Sequence, residues 1–189
     1  MWALVESGSI SEVYNKPKQL KIGDIQYPSN IHSLWSATEL KAIGVYEVVQ
    51  DDTNYKNPEY YTNTDQTFTF ASNQVKATYG TATAKPLNDT TTDGVVTRGL
   101  KYEHCFVIDN QAYSLLEPND WMVVRNAESS KAIPSDWLDY RVAVRTAASD
   151  MKAKINAVSD VDALAALYAY NDAEPPVRPL GEFPTPPSS

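Results

Sequence analysis

The C-terminal half of the chain is organised around residues 115–145, LLEPNDWMVVRNAESSKAIPSDWLDYRVAVR. Proline lacks an N–H and clashes with the preceding helical turn, so Pro118 separates one helix from a second that begins just after it. The Ile133-Pro134 pair ends that second helix, because a residue before proline is pushed out of the α region. Ser135 then offers an N-cap oxygen to another helix. The stretch therefore predicts two helices joined by a tight elbow.

The helix after the elbow carries apolar side chains at steps of three and four residues, which places them along one face. This stripe consists of Trp137, Tyr140, Val144, Ala147, Met151, Ile155 and Val158. We expect that face to be buried.

Three arginines accompany the elbow. Arg141 and Arg145 are four residues apart and lie on one edge of their helix, whereas Arg125 belongs to the preceding helix. Guanidinium groups bind carboxylates with bidentate geometry, and several acidic residues are close in sequence. We expect at least one arginine to bind a carboxylate across the elbow. For Arg145, a solvated helix face is an equally good interpretation.

The same stretch resembles the C-terminal region of bacteriophage tail assembly chaperone and tail-fibre assembly-type proteins. The matching residues are Asp120, Trp121, Arg125, Ala127, Glu128, Ile133, Pro134, Tyr140, Arg141 and Arg145. Two N-terminal segments, MWALVESGSI at 1–10 and YPSNIHSLWSATELKAIGVYEVV at 27–49, are similar to segments of tail-associated proteins of marine phages. Together these parts cover about two-thirds of the chain.

The resemblance implies a non-enzymatic protein that acts by protein–protein contact. A tail or tail-fibre assembly chaperone is the favoured hypothesis, and a permanent virion component, such as a tail adaptor or fibre-associated subunit, is the alternative. The implied partners are phage tail or tail-fibre proteins, with self-association as a further possibility. The implied location is the host cytoplasm during assembly, or the virion tail.

The predicted partner-binding residues come from the elbow and from the C-terminal segment. They are Trp121, Arg125, Glu128, Tyr140, Arg141, Arg145, Val177, Leu180 and Phe183. A simpler interpretation is that the elbow residues hold the helices together, Trp121 and Tyr140 by burial and the charged groups by pairing.

Composition and motifs disfavour several other function classes. The 24 acidic residues outnumber the 16 basic ones, and a net charge of −8 disfavours nucleic acid and anionic membrane as partners. One cysteine and two histidines 72 positions apart predict neither a disulfide framework nor a metal site, and nothing indicates a cofactor. His104 and Cys105 are neighbours that point apart on a helix, so they make a poor base and nucleophile. We therefore expect a soluble, non-enzymatic protein with no signal peptide or membrane span.

The N-terminal part of the chain reads as a small β-rich domain over residues 1–84 with one short helix. Residues 2–14 suit a hairpin around Ser7-Gly8, and residues 45–49 read as a strand. Ser36 and Glu39 form an S-x-x-E capping box at the start of the helix, which ends at Gly44. Alternating apolar residues at 68–79 predict a second hairpin.

Residues 85–99 are polar, without periodicity, and read as a linker. Residues 100–173 predict an all-helical hairpin bundle, in which Cys105, Ile108, Ala112 and Leu115 mark its first helix. The predicted class is therefore α+β.

Residues 174–189 hold six of the twelve prolines and predict an extended tail. Val177, Leu180 and Phe183 are three residues apart and would line one edge of a polyproline II helix. We expect that edge to dock onto a partner or back onto the helices, with a disordered terminus as the alternative.

A lesser alternative function is carbohydrate binding. Tyr55, Tyr60, Tyr61 and Tyr79 provide flat amphipathic rings beside hydrogen-bonding groups, although tyrosines of a half-buried sheet explain the same composition.

Overall fold

The structure is a computed structural model that describes residues 1–187. It divides into two compact units, one over Met1–Thr83 and one from Ala84 onward. The first unit is rich in strands and the second in helices, so the α+β class predicted from the sequence is confirmed. Ser188 and Ser189, the last two residues of the predicted tail, lie outside the described residues.

The first unit contains short strands and two short helices. Its elements are β1 (Trp2–Glu6), β2 (Ser9–Tyr14), β3 (Leu20–Ile22), β4 (Ile25–Tyr27), α1 (Ile31–Leu34), α2 (Ala37–Ala42), β5 (Val45–Asp51), β6 (Tyr61–Thr62), β7 (Gln66–Ala71) and β8 (Gln74–Tyr79). The prediction of one helix here is wrong. A separate turn of helix, α1, forms because the Trp35 amide bonds the Ile31 carbonyl at 2.9 Å while Ile31 buries its side chain.

Five strands form one curved sheet in the order β2-β1-β5-β8-β7. The pairs are antiparallel except for β5 and β8, which are parallel. The two edge strands, β2 and β7, approach each other, so the sheet curls into a half-barrel with an inner and an outer face.

The inner face of the sheet is one apolar core. It consists of Ala3, Tyr46, Val48, Val75 and Ala77, with Phe68 and Phe70 packed against them. These residues alternate along their strands because successive side chains of a strand point to opposite faces. The predicted alternation at 68–79 is therefore confirmed, and Ser72-Asn73 makes the turn with positive φ at both residues.

The outer face of the sheet is only partly covered. Leu4 and Val45 are buried there against side chains of α1, α2 and the β3–β4 hairpin, including Leu40 of α2. The capping box that starts α2 is confirmed, since the Glu39 amide donates to Ser36 Oγ at 3.3 Å and the Ser36 amide donates to Glu39 Oε2 at 2.8 Å. These helices are short, so the outer face further along β5 stays open to solvent.

The second unit begins with a hairpin and continues with four helices among its described residues. Strand β9 (Thr83–Ala84) includes the last residue of the first unit and the first residue of the second. The other elements of the second unit are β10 (Thr90–Thr92), β11 (Val95–Thr97), α3 (Leu100–Leu116), a 3-10 turn (Glu117–Asn119), α4 (Trp121–Ser129), α5 (Ser135–Ala157) and α6 (Val161–Tyr168).

The β10–β11 hairpin corrects the sequence interpretation of residues 85–99 as a featureless linker. Asp93 and Gly94 both have positive φ, at 51° and 79°, and form the turn between β-branched residues. Asp-Gly between such residues is a strong hairpin signal that the polar composition obscured. The second unit is consequently not all-helical.

Helices α3 and α5 pack against each other and build the core of the second unit. Ile108 and Ala112 of α3 are buried, as are Val144, Met151 and Ile155 of α5. Both stripes were predicted from the periodicity of the sequence. Burial is confirmed for these residues and for Tyr140, whereas the other predicted members are only half-buried.

The C-terminal segment is not shown as an extended, proline-rich tail, and the expectation that it docks back onto the helices is confirmed for Leu180. Leu180 is only 1% exposed, and its amide donates to the Leu167 carbonyl at 2.9 Å. The Lys154 ammonium donates to the carbonyls of Pro179 and Leu180 at 2.8 and 3.1 Å. Burial of Leu180 and these hydrogen bonds hold the segment on α5 and α6.

Candidate protein-binding surface on the helical unit

The elbow between α4 and α5 is confirmed. Ser130 adopts the left-handed conformation, with φ 55° and ψ 17°, and its amide bonds the Asn126 carbonyl at 2.9 Å. The chain then leaves the helix until α5 starts at Ser135. The prediction that Ser135 caps α5 is wrong, because Ser135 is the first helical residue and Pro134 precedes it with no side-chain cap.

Arg141 holds the inner side of the elbow together. It is only 4% exposed, and its guanidinium donates to the Leu116 carbonyl at 3.2 Å, to Asn119 Oδ1 and to Asp120 Oδ1 at 2.6 Å. Asn119 is itself buried and donates to the Leu115 carbonyl at 3.1 Å. One α5 side chain thus joins the end of α3 to the start of α4. The predicted arginine–carboxylate pair across the elbow is confirmed.

Two residues predicted to bind a partner are therefore structural. Tyr140 is buried, with its ring edge-on to Trp137 at 5.8 Å between ring centroids, and Arg141 is enclosed by its hydrogen-bond acceptors. Neither side chain is accessible to another protein. Their assignment to partner binding is corrected, and the interpretation that they hold the helices together applies to both.

Helix α4 forms the outer side of the elbow and buries none of its nine residues. Trp121 is 53% exposed, and Val123 and Val124 on the same helix are also exposed. The interpretation of Trp121 as a buried anchor is wrong. A helix with this much apolar surface in solvent presents a face that another molecule can cover.

Arg125 lies against Trp121 on this outer side. The centre of its guanidinium is 4.7 Å from the indole ring, within the range of a cation–π contact. Its Nε is shielded from solvent and has no hydrogen-bond partner among residues 1–187. Glu128, one turn further along, is exposed. The structure thus brings together three of the predicted residues on one accessible surface.

Arg145 matches the solvated-face interpretation. It is exposed, and its Nη1 donates to the Arg141 carbonyl at 3.2 Å on the same helix. This hydrogen bond is local and ties Arg145 to α5, not to α4.

The three predicted residues of the C-terminal segment have different environments. Val177 is 50% exposed, whereas Leu180 is buried against the unit itself, so its assignment to partner binding is corrected. Phe183 is half-buried and lines an open cavity of about 710 Å³ with Val107 and Leu115 of α3. The predicted common edge of the three side chains is not formed.

A second apolar surface on α3 was missed. The rings of Tyr102 and Phe106 are parallel with centroids 6.4 Å apart, and Tyr113 is 60% exposed. The spacing of four residues between Tyr102 and Phe106 was the available signal, because such neighbours meet on a helix. It was obscured by the stronger stripe that α3 buries against α5.

The tyrosines proposed for carbohydrate binding are largely engaged within the first unit. Tyr60 is only 5% exposed, and the Tyr55 and Tyr79 rings lie 5.0 Å apart between centroids. The Lys56 ammonium lies 4.3 Å from the centre of the Tyr61 ring. These contacts favour the interpretation of the tyrosines as part of the packing.

His104 and Cys105 are neighbours on α3 and have different surroundings. His104 Nδ1 lies 2.8 Å from the Tyr168 hydroxyl, while burial raises the pKa of the adjacent Cys105 thiol. Within residues 1–187, no three His, Cys, Asp or Glu side chains are grouped so that they could hold a metal ion. No helix in this described range has both the length and the apolar character needed to cross a membrane.

Comparisons with family models, with curated proteins and with solved structures found no match to this chain.

Proposed function

We propose that this chain is a non-enzymatic bacteriophage tail-associated protein that acts as a tail or tail-fibre assembly chaperone. The observation that supports a binding role is the exposure of α4, in which seven of the nine residues are exposed and Met122 and Arg125 are half-buried. The resemblance of residues 120–145 to phage tail assembly proteins supplies the class of partner. The proposal places this activity in the host cytoplasm during tail assembly.

The exposure of α4 is unusual for a short helix. Helices below about 12 residues are marginal in water, and most draw their stability from packing an apolar face. α4 instead leaves Trp121 and Val124 in solvent beside charged groups. Apolar patches rimmed by polar residues commonly mark protein-binding sites. A partner that covers this face would supply the burial that α4 lacks.

The side chains of this face suit a binding role. Tryptophan and arginine are the residues most enriched where a few side chains dominate the energy of an interface. Arg125 already lies on the Trp121 ring, so ordering it on binding costs little conformational entropy. Its neighbour Glu128 adds an exposed carboxylate. The complementary surface is expected to offer an apolar pocket for the indole and an acidic group for Arg125.

The buried side of the elbow keeps this face in place. Arg141 bonds both Asn119 and Asp120, the two residues immediately before α4. The start of α4 is therefore fixed before any partner arrives. Such preorganisation raises affinity because less order has to be imposed on binding.

Co-purification tests the binding role. A tagged chain is co-expressed with the tail and tail-fibre proteins of the same phage, and we expect at least one of them to be retained. Trp121→Ala is expected to lose it. Tyr113→Ala is the matched control, because Tyr113 is an equally exposed aromatic residue on another helix of the unit. Loss of the partner with Tyr113→Ala alone would assign binding to α3 and contradict the proposal.

Mass spectrometry of purified phage particles separates a chaperone from a permanent subunit. A chaperone is expected to be absent, or present far below the copy number of the tail proteins. A fixed copy number in the particle would replace the chaperone role with that of a virion component.

A further inference from the structure

We propose that the first unit binds a neutral saccharide in a cleft between Trp2 and Trp35. The cleft has a volume of about 340 Å³ and opens on the outer face of the sheet. Its lining includes Leu40 of α2 and Val45 of β5, which are buried in the same core. It lies in a different unit from α4, so the proposal is independent of the protein-binding role.

The register of the sheet builds one side of the cleft. Trp2 of β1 and Glu47 of β5 are directly opposite each other on antiparallel strands, which puts both side chains on the same face. Gln74 is the first residue of β8. It precedes Val75, which is paired with Val48 of the parallel strand β5. An indole, a carboxylate and an amide therefore line the same cleft from three neighbouring strands.

The helices build the other side. Trp35 lies in the short link between α1 and α2, where the ring of Tyr27 contacts it edge-on at 5.8 Å between centroids. Lys41 of α2 also lines the cleft, and its ammonium donates to the Asn73 carbonyl at 3.3 Å. Both walls are thus held by contacts within the unit.

The Trp2 wall is further supported by His32. The two rings meet edge-on with centroids 5.1 Å apart. His32 Nδ1 lies 3.0 Å from the Ser29 carbonyl, which can only accept, so Nδ1 carries a hydrogen. His32 Nε2 lies 2.9 Å from the Tyr14 hydroxyl, and burial raises the pKa of that hydroxyl to about 12. The wall is therefore fixed before a ligand enters.

The cleft retains hydrogen-bonding groups that the described part of the chain does not use. The two indole N–H groups of Trp2 and Trp35 make no hydrogen bond within it. The Glu47 carboxylate and the Gln74 amide make none either. Together they offer donors and acceptors beside two flat aromatic faces.

These features match a neutral sugar better than an ion. The electron-rich indole face attracts the C–H groups of a sugar ring, and hydroxyls both donate and accept hydrogen bonds. Glu47 and Lys41 bring opposite charges to the cleft, so neither a cation nor an anion is favoured overall. Ligand pockets span about 300–1,000 Å³, and this cleft lies at the small end, which suits one or two sugar rings.

The test is ligand-observed NMR of the intact chain with a panel of neutral mono- and disaccharides. We expect at least one sugar to bind, and Glu47→Gln to weaken it about tenfold through loss of a charged hydrogen bond. Trp35→Ala is expected to abolish binding. Trp35 also packs on the core, so circular dichroism must show that this variant is folded; if it is unfolded, the exposed Glu47 position decides the test. Tyr55→Ala is the control in the same unit and is expected to bind normally.

Three results would overturn the assignment. The first is a wild-type chain that binds no sugar in the panel, or that binds only charged amines. The second is a Glu47→Gln variant with unchanged affinity. The third is loss of binding in Tyr55→Ala, which would move the site to the tyrosine-rich loop. None of these outcomes bears on co-purification through Trp121, so failure of one proposal is distinguishable from failure of the other.

Discussion

Arg141 and Arg125 lie on opposite sides of the same elbow and have opposite environments. Arg141 is enclosed by a backbone carbonyl, an amide oxygen and a carboxylate, which together join three segments of the chain. Arg125 contacts the face of an exposed indole, and its Nε has no described hydrogen-bond partner. The difference shows that the role of an arginine at this elbow depends on the hydrogen-bond acceptors around it and not on its residue type alone.

The aromatic residues of the elbow show the same contrast. Tyr140 is buried beside Trp137 on α5, and Trp121 is in solvent on α4. The inner side of the elbow is therefore buried, and the outer side remains accessible to solvent. Mutations on the two sides should separate folding from binding.

The largest effect is expected for Arg141→Ala. Removing the guanidinium leaves the buried Asn119 amide oxygen and the Leu116 carbonyl without that donor, and each hydrogen bond to a charged group contributes about 1.5–3 kcal/mol. Urea unfolding of the helical unit, followed by circular dichroism, measures the change. Arg145→Ala is the control and is expected to cost less than about 1 kcal/mol, because Arg145 is exposed. Equal costs for the two variants would contradict the assignment of Arg141.

The C-terminal segment extends the contrast between buried and exposed groups. Leu180→Ala removes a fully buried side chain and is expected to lower the free energy of unfolding by about 2–5 kcal/mol. Val177→Ala, three residues earlier and half-exposed, should change it by no more than about 0.5 kcal/mol. Thermal unfolding of both variants gives the comparison. A Leu180→Ala variant as stable as wild type would show that the segment is not held on the helices.

Signals that depend on neighbouring residues were predictable from the sequence. The Ser36–Glu39 box and the buried stripe of α5 both follow from spacings of a few residues, and both are present. Asp93-Gly94 belongs to the same class of local signal and was overlooked because its surroundings are polar.

Roles that depend on distant contacts were not predictable. The burial of Arg141 rests on acceptors 21 and 22 positions away, and that of Leu180 on packing against helices formed earlier in the chain. Periodicity places a residue on a helix face but does not show what covers that face. For this reason the sequence could not distinguish the structural residues Tyr140 and Arg141 from the accessible residues Trp121 and Arg125.

A smaller effect is expected from Asp160, an exposed carboxylate with a local role. It caps α6 by accepting from the Ala163 amide at 2.8 Å, and this hydrogen bond is the main cause of its lowered pKa. Because the pKa of Asp160 is lower in the folded state, its carboxylate contributes to the free energy of unfolding at pH values above the unfolded pKa of about 4. This contribution is lost as the pH falls through the folded pKa.

Asp160→Asn tests this pH dependence. Asparagine still caps a helix but does not titrate, so the melting temperatures of variant and wild type should converge as pH falls below about 4. A difference in melting temperature that stays constant from neutral to acidic pH would show that the charge of Asp160 does not contribute to the stability of the fold.

A small change in stability is expected for Trp121→Ala. Its side chain is half-exposed, and its cation–π contact with Arg125 contributes about 0.5–1 kcal/mol at an exposed site, so the free energy of unfolding should fall by no more than about 1 kcal/mol. Urea unfolding checks the value. A loss of several kcal/mol would mean that Trp121 belongs to the core and that both sides of the elbow are structural.

The most direct test of the division between the two sides is the affinity of Trp121→Ala for the proposed partner, a tail or tail-fibre protein. Titration calorimetry on the purified pair measures Kd for the wild-type chain and for the variant, at a temperature where both chains are fully folded. We predict that Kd rises about 30-fold or more, because a central tryptophan in an interface commonly contributes at least about 2 kcal/mol. An unchanged Kd in a variant that is folded as well as wild type would contradict the account.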